Sequence, residues 1–277
     1  MSRNFRELLE GQWGEGKFLC IGLDSDFEKI PEAARKDSVR ETVVAFNRAI
    51  IDATHDLASS YKLNSAFYES HGDEGWKALR ETIQYINEVA PEVPVILDAK
   101  RGDIGNTNEA YAVSFFDHLH VDAVTVHPYF GRESLAPFFE RSDKGVIVLC
   151  RSSNLGAGEI QDLEIAGEPL YKVIARLAAE KWNGNGNCCV MVGATYPTEL
   201  AEVRAVVGDM PILIPGVGAQ NGDLEKTVKA GKDSRGRGMI ISASRAIIFA
   251  SDGPDFAAAA REKALALHGA ITKALQH

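Results

Sequence analysis

The sequence has 277 residues, 45% of them hydrophobic and 25% charged, the proportions of a globular chain rather than a disordered or fibrous one. A net charge of −9 speaks against a nucleic-acid or membrane-surface binder, which would carry a basic face, and no apolar run approaches the roughly 20 residues of a membrane-spanning helix. The polar opening MSRNFRELLEGQWGEG lacks the apolar core of a signal peptide, so a cytoplasmic protein is expected.

Eight short runs rich in Val, Ile and Leu follow one another: Phe18–Leu23, Ser59–Leu63, Val93–Leu97, Asp122–Val126, Gly145–Leu149, Cys188–Val192, Pro211–Ile214 and Gly238–Ile241. Several are apolar at successive positions, as in parallel strands buried on both faces. Helical periodicity fills the intervals, at Ser38–Leu57, Gly75–Val89, Asn106–His118, Pro197–Val206 and Asp255–Leu275. Strict alternation with eight strands predicts a (β/α)8 TIM barrel forming one domain over residues 1–277. An open doubly wound sheet is the competitor, but the first strand runs into GLDSDFEKIP, which is no dinucleotide fingerprint. The irregular stretch Arg151–Glu168 reads as a lid or binding loop. Cys20, Cys150, Cys188 and Cys189 lie in or beside the apolar runs without metal-ligand spacing and read as reduced core thiols.

A barrel of this kind carries its site at the carboxyl ends of its strands, and polar residues gather there. Asp24 follows the first run; Lys62 and Asn64 end the second; Asp98 and Lys100 end the third; His127 ends the fourth. Ser152, Ser153 and Asn154 follow the fifth and Thr195 the sixth, while Ser242, Ser244 and Arg245 close the eighth. In LDAKRGDIGNT, residues 97–107, Asp98 and Lys100 are two apart and share a face if the chain is extended. Gly102 permits a turn that brings Asp103 toward the same site or a neighbouring subunit, and Asn106 with Glu109 reads as a capping pair for the next helix. An ion pair closing the barrel mouth is the plainer alternative. Lys62 beside this segment favours a functional array, since clustered charges in a low-dielectric site are costly without a task. In IPGVGAQNGD, residues 214–223, Gly216, Gly218 and Gly222 let backbone amides turn inward, and Asn221 or Asp223 can start a helix. Such a loop is a plain turn or a phosphate cradle; Gln220 and Arg245 favour the cradle. His127 reads as structural rather than reactive, and Trp13, Trp76 and Trp182 as packing residues.

LDAKRGDIGNT resembles the Asp-x-Lys-x-x-Asp-Ile-x-x-Thr signature of orotidine 5'-phosphate decarboxylases. GLDSD, YKLNSAFYE, SSNLGAG, MVGATYP, PGVGAQNGD and SASRAI fall in the matching order over nearly the whole chain, most like the longer bacterial (type 2) subgroup. Leu155 departs from a common proline, away from any catalytic position. The resemblance implies a cofactor-free, metal-free carboxy-lyase that makes UMP in the last step of de novo pyrimidine nucleotide synthesis. It implies that Lys100 protonates ring carbon six, that Asp98 lies beside the departing carboxylate, and that Lys62 and Asp24 contact the ribose region. It further implies that Ser153 reads the pyrimidine and that Gln220, Arg245 and backbone amides near Gly218 hold the phosphate, with Asn64 and Ser244 among the substrate contacts. Asp103, Ile104 and Thr107 are implied to reach into a partner's site, making a homodimer. A magnesium-dependent keto-sugar-phosphate decarboxylase or hexulose-phosphate synthase of the same superfamily is the nearest rival. A catalytically silent nucleotide-binding barrel is the second.

Overall fold

The computed structural model describes residues 3–217 and 223–276. Within them, eight parallel strands close a barrel in which each neighbours the next and the eighth pairs with the first. The strands are β1 Leu19–Gly22, β2 Ala58–Asn64, β3 Val95–Arg101 and β4 Ala123–Val126, then β5 Gly145–Arg151, β6 Cys188–Val192, β7 Ile212–Pro215 and β8 Met239–Ala243. Nearly every strand residue is buried, which is why the sequence shows apolar runs and no period-two alternation.

All five helices expected from periodicity are present: α2 Val39–Thr54, α3 Gly72–Val89, α4 Gly105–Ala112, α7 Pro197–Val207 and α9 Phe256–Leu275. The third expectation needs correction. Its helix begins at Gly105, with Ile104 as the flanking residue, so Asn106 and Glu109 do not form a capping pair. The buried Asn108 side chain accepts from the Asp103 backbone N–H at 3.0 Å and donates to the Asp103 carbonyl at 2.6 Å, starting the helix earlier. Past Ala112 the helix widens into a π-helical turn, Val113–His118. Helices α5 Gly131–Phe139, α6 Leu170–Leu177 and α8 Leu224–Gly231 complete the ring, and α1 Phe5–Gly14 precedes the first strand outside it. Asp223 caps α8, its carboxylate accepting from the Lys226 backbone N–H at 3.1 Å. Arg151–Glu168 is not structureless: it holds two short helical turns and half of a two-stranded ribbon, Glu164–Ile165 with Glu168–Pro169.

The amino-terminal end of the barrel is sealed by α1. Phe5, Leu9 and Trp13 are buried there, and the Trp13 indole N–H donates to the Met239 carbonyl at 2.9 Å. Arg3 adds a bidentate pair with the buried Asp122, at 2.9 and 2.8 Å. Arg204 does similar work on one side of that end, donating to the carbonyls of Gly231, Gly208, Met210 and Gly238 at 2.5–2.9 Å. Burial pushes its guanidinium down to about 10, against the pull of Asp233. Arg204→Met is expected to strand those carbonyls and lower stability by about 3–5 kcal/mol, read as a fall in the urea midpoint at unchanged slope. The four cysteines are free and buried, and burial raises every thiol.

Candidate active site

At the opposite, carboxyl end of the barrel, Asp24, Lys62, Asp98 and Lys100 form a continuous chain of alternating charge. The Lys62 ammonium lies 3.4 Å from Asp24 Oδ1 and 3.2 Å from Asp98 Oδ2, and Lys100 Nζ lies 2.7 Å from Asp98 Oδ1. Lys62 and Asp98 are buried in β2 and β3, where neither could stand alone in a low dielectric. Burial by itself would push the Asp98 carboxyl up. The Lys62 and Lys100 ammonium groups, with hydrogen bonds from Lys100 and Thr125, outweigh it and hold Asp98 well below the usual carboxylate range. Burial likewise disfavours the Lys62 ammonium, but Asp98 and Asp24 reverse the effect and raise it.

A carboxyl with a depressed folded-state pKa stabilises the fold above the unfolded value, about 3.9, and loses that contribution as pH falls through the folded value. Asp98→Asn is therefore expected to cost about 3 kcal/mol at pH 7, because Lys62 loses its nearer counter-charge. The gap from the parent chain should narrow below about pH 4. Urea midpoints measured at pH 7, 5 and 3.5 check this; a gap that stays constant counts against the assignment.

The geometry differs from the expected extended segment in one respect. Lys100 sits at φ 47°, a left-handed conformation uncommon for a residue with a side chain, and β3 shifts register against β4 between Leu97 and Arg101. Asp98 and Lys100 do meet, but through this kink rather than through strand alternation. Two residues that sequence reasoning passed over support the site. Thr125, in β4, donates from its hydroxyl to Asp98 Oδ1 at 2.8 Å and accepts from the Lys100 backbone N–H at 2.9 Å. The one hint was the single polar residue inside the apolar run AVTV. Arg151, buried at the end of β5, pairs with Asp162 at 3.0 Å and lies over the Tyr196 ring at 4.2 Å, tying down the loop after β5.

Of the other expected site residues, Asp24, Asn64 and Arg245 line one cavity of about 440 Å³ with Asp26, Lys29 and Phe67. Asp24 thus connects the lysine array to Arg245. Ser153 packs so closely on Gly193 that a Cβ there would lie 2.8 Å from Ser153 Cβ, so the loops after β5 and β6 approach only because position 193 is glycine. The Ser244 hydroxyl donates to the Gly22 carbonyl at 3.0 Å, across the seam between β8 and β1. Gly218 and Gln220 lie outside the described residues. Asp103, Ile104 and Thr107 stand apart from the array: Asp103 Oδ1 accepts from the Ile104 backbone N–H at 2.7 Å, and Ile104 is 56% exposed. His127 is a strut beneath this loop. Its Nδ1 accepts from the Tyr129 backbone N–H at 3.3 Å, which leaves Nε2 as the donor to the Gly102 carbonyl at 3.1 Å. A wider groove, about 930 Å³, lies at the other end of the barrel between α1 and α3, remote from every one of these charges.

A family model described as orotidine 5'-phosphate decarboxylase / HUMPS family matches residues 17–261. The chain is 50% identical over 272 residues to an orotidine 5'-phosphate decarboxylase of Cellvibrio japonicus, covering 98% of this chain and 99% of that protein. It is 48% identical over 269 residues to one of Azoarcus sp., covering 97% and 98%. Among solved structures, the OMP decarboxylase of Leishmania donovani superposes with a TM-score of 0.83 at 39% identity, over 98% of this chain and 99% of that one. With a closed barrel, a lysine–aspartate array at its carboxyl end and relatives matched over almost their full length, the chain belongs to the orotidine 5'-phosphate decarboxylase / HUMPS family.

Proposed function

We propose that this chain converts orotidine 5'-phosphate to UMP and carbon dioxide, with Lys100 delivering the proton. The carrying observation is the division of labour between two lysines that share Asp98. The Lys62 side chain is 5% exposed, whereas that of Lys100 is 43% exposed at the mouth, so Lys100 is the one that can meet a reacting carbon. Cleavage of the bond from ring carbon six to the carboxylate leaves an electron pair in an orbital the ring delocalises poorly. An ammonium fixed beside that carbon stabilises the developing charge, then gives up a proton to it and is reprotonated from solvent. Asp98 keeps Lys100 in place and faces the departing carboxylate. Lys62, Asp24 and Asn64 hold the ribose side, Ser153 the base, and Arg245 with Ser244, Gln220 and the amide of Gly218 the phosphate. Phosphate binding at a distance supplies energy for ordering the reacting end, in a reaction that needs well over ~8 kcal/mol of barrier lowering.

The active form in this reading is a homodimer in which Asp103, Ile104 and Thr107 complete the partner's site. Supporting it, Asp103 forms no ion pair among the described residues, and the adjoining loops present Ile104, Tyr129 and Phe130 at 56%, 86% and 50% exposure. No helix among the described residues is long and apolar enough to cross a membrane.

Loss of orotidine 5'-phosphate absorbance, followed with and without a chelator, tests the reading. Turnover indifferent to the chelator is expected. A magnesium requirement with no turnover of this nucleotide turns the assignment to hexulose-phosphate chemistry, and tight UMP binding without turnover turns it to a silent barrel.

A further inference from the structure

The register shift between β3 and β4 leaves a bookkeeping problem in the backbone. Leu97 pairs with Val124 and Arg101 with Val126, so Asp98, Ala99 and Lys100 together face the single residue Thr125. At such a bulge the extra N–H groups lose their ladder acceptors, and a buried donor without a partner is costly. The Lys100 N–H finds its acceptor in the Thr125 side chain at 2.9 Å. An amide can only donate, so the Thr125 hydroxyl must spend its own proton elsewhere, and the Asp98 Oδ1 at 2.8 Å receives it. The same oxygen accepts from Lys100 Nζ at 2.7 Å. The result is a closed ring: Lys100 backbone to Thr125 hydroxyl to Asp98 carboxylate to Lys100 ammonium. Thr125 is 1% exposed, so water does not compete for these bonds.

From this ring we infer that Thr125 is a positioning residue, one that fixes the left-handed turn at Lys100 and thereby the place of its ammonium. The inference rests on the decarboxylase reading proposed above. Thr125 touches no reacting atom; it acts through both ends of Lys100. Lys100 at φ 47° needs such an anchor, because a side-chain-bearing residue holds that conformation only when its surroundings fix it. A displacement of about 1 Å at a reacting group is enough to cost roughly 100-fold in rate.

The experiment compares Thr125→Val with the pair Thr125→Ser and Thr125→Ala in the full chain. Valine keeps the shape and removes the hydroxyl. Expected is a fall in kcat of about 10- to 100-fold with UMP affinity within about threefold of the parent. Serine should retain kcat within about threefold, and alanine should fall with valine. The serine–alanine ratio isolates the hydroxyl even if the valine protein does not fold, since both members lack the methyl group. Hydrogen exchange at the Lys100 amide provides a readout apart from turnover, and it should accelerate in the valine and alanine proteins but not in the serine one. Near-parental kcat in Thr125→Val, or equal losses in the serine and alanine proteins, overturns the inference. A parent chain that fails to turn over orotidine 5'-phosphate overturns the decarboxylase reading instead, and the exchange measurement then decides the geometry alone.

Discussion

Lys100→Ala is expected to lower kcat by roughly 10⁵-fold, because in the proposed mechanism one ammonium serves both as the fixed positive charge and as the proton donor, effects worth about 10²–10³ and 10²–10⁴ separately. UMP affinity should change little, since Arg245 and the proposed ribose contacts Asp24 and Asn64 stand on other elements of the barrel mouth. The backbone adds a control. Alanine at φ 47° inherits the strain of that conformation, whereas glycine does not, so Lys100→Gly should fold at least as stably as Lys100→Ala and be equally inactive. If activity tracked stability across the two, the loss would be structural. Single-turnover rates with both proteins, alongside their urea midpoints, separate the possibilities, and a kcat within tenfold of the parent in either would remove Lys100 from its assigned role.

The second large effect is recovery rather than loss. Asp103→Ala and Lys100→Ala chains, each inactive alone, are expected to regain activity when mixed under conditions that exchange subunits. Each hybrid dimer then contains one site with both defects and one with neither, so random exchange of equal amounts restores about a quarter of the parental activity. The exposed Ile104 beside Asp103 is why this residue is assigned outward. No gain over the parents, with exchange verified by labelled subunits, would place Asp103 in its own chain's site.

Much of the architecture is legible in the sequence because burial on both faces writes itself as consecutive Val, Ile and Leu. All eight runs became barrel strands, most within two residues of their expected bounds. Elements that follow no period were harder to see. The helix at Gly131–Phe139 contains Pro137 and is short, and the ribbon after β5 has two residues per strand. At the site, Lys62, Asp98 and Lys100 were recognisable because buried charge is expensive and therefore informative. Thr125 was not, since a threonine in a buried strand is ordinary until a bulge on the neighbouring strand shows what its hydroxyl must satisfy. The early start of α4 was hidden for a related reason. Asn108 makes its bonds backward to Asp103 from inside the helix, a pattern that a search for caps at helix beginnings does not find.

The helix that plugs the floor of the barrel has a consequence for traffic. In the proposed reaction, with Phe5, Leu9 and Trp13 covering that end and the strands' own side chains packing the interior, the arriving nucleotide and the departing one share the mouth at the other. One must leave before the next can enter, and the product, which keeps the same ribose and phosphate handles, occupies the vestibule on its way out. A product that keeps those handles is thus expected to compete with the arriving nucleotide for the same mouth, read as competitive inhibition of turnover by UMP.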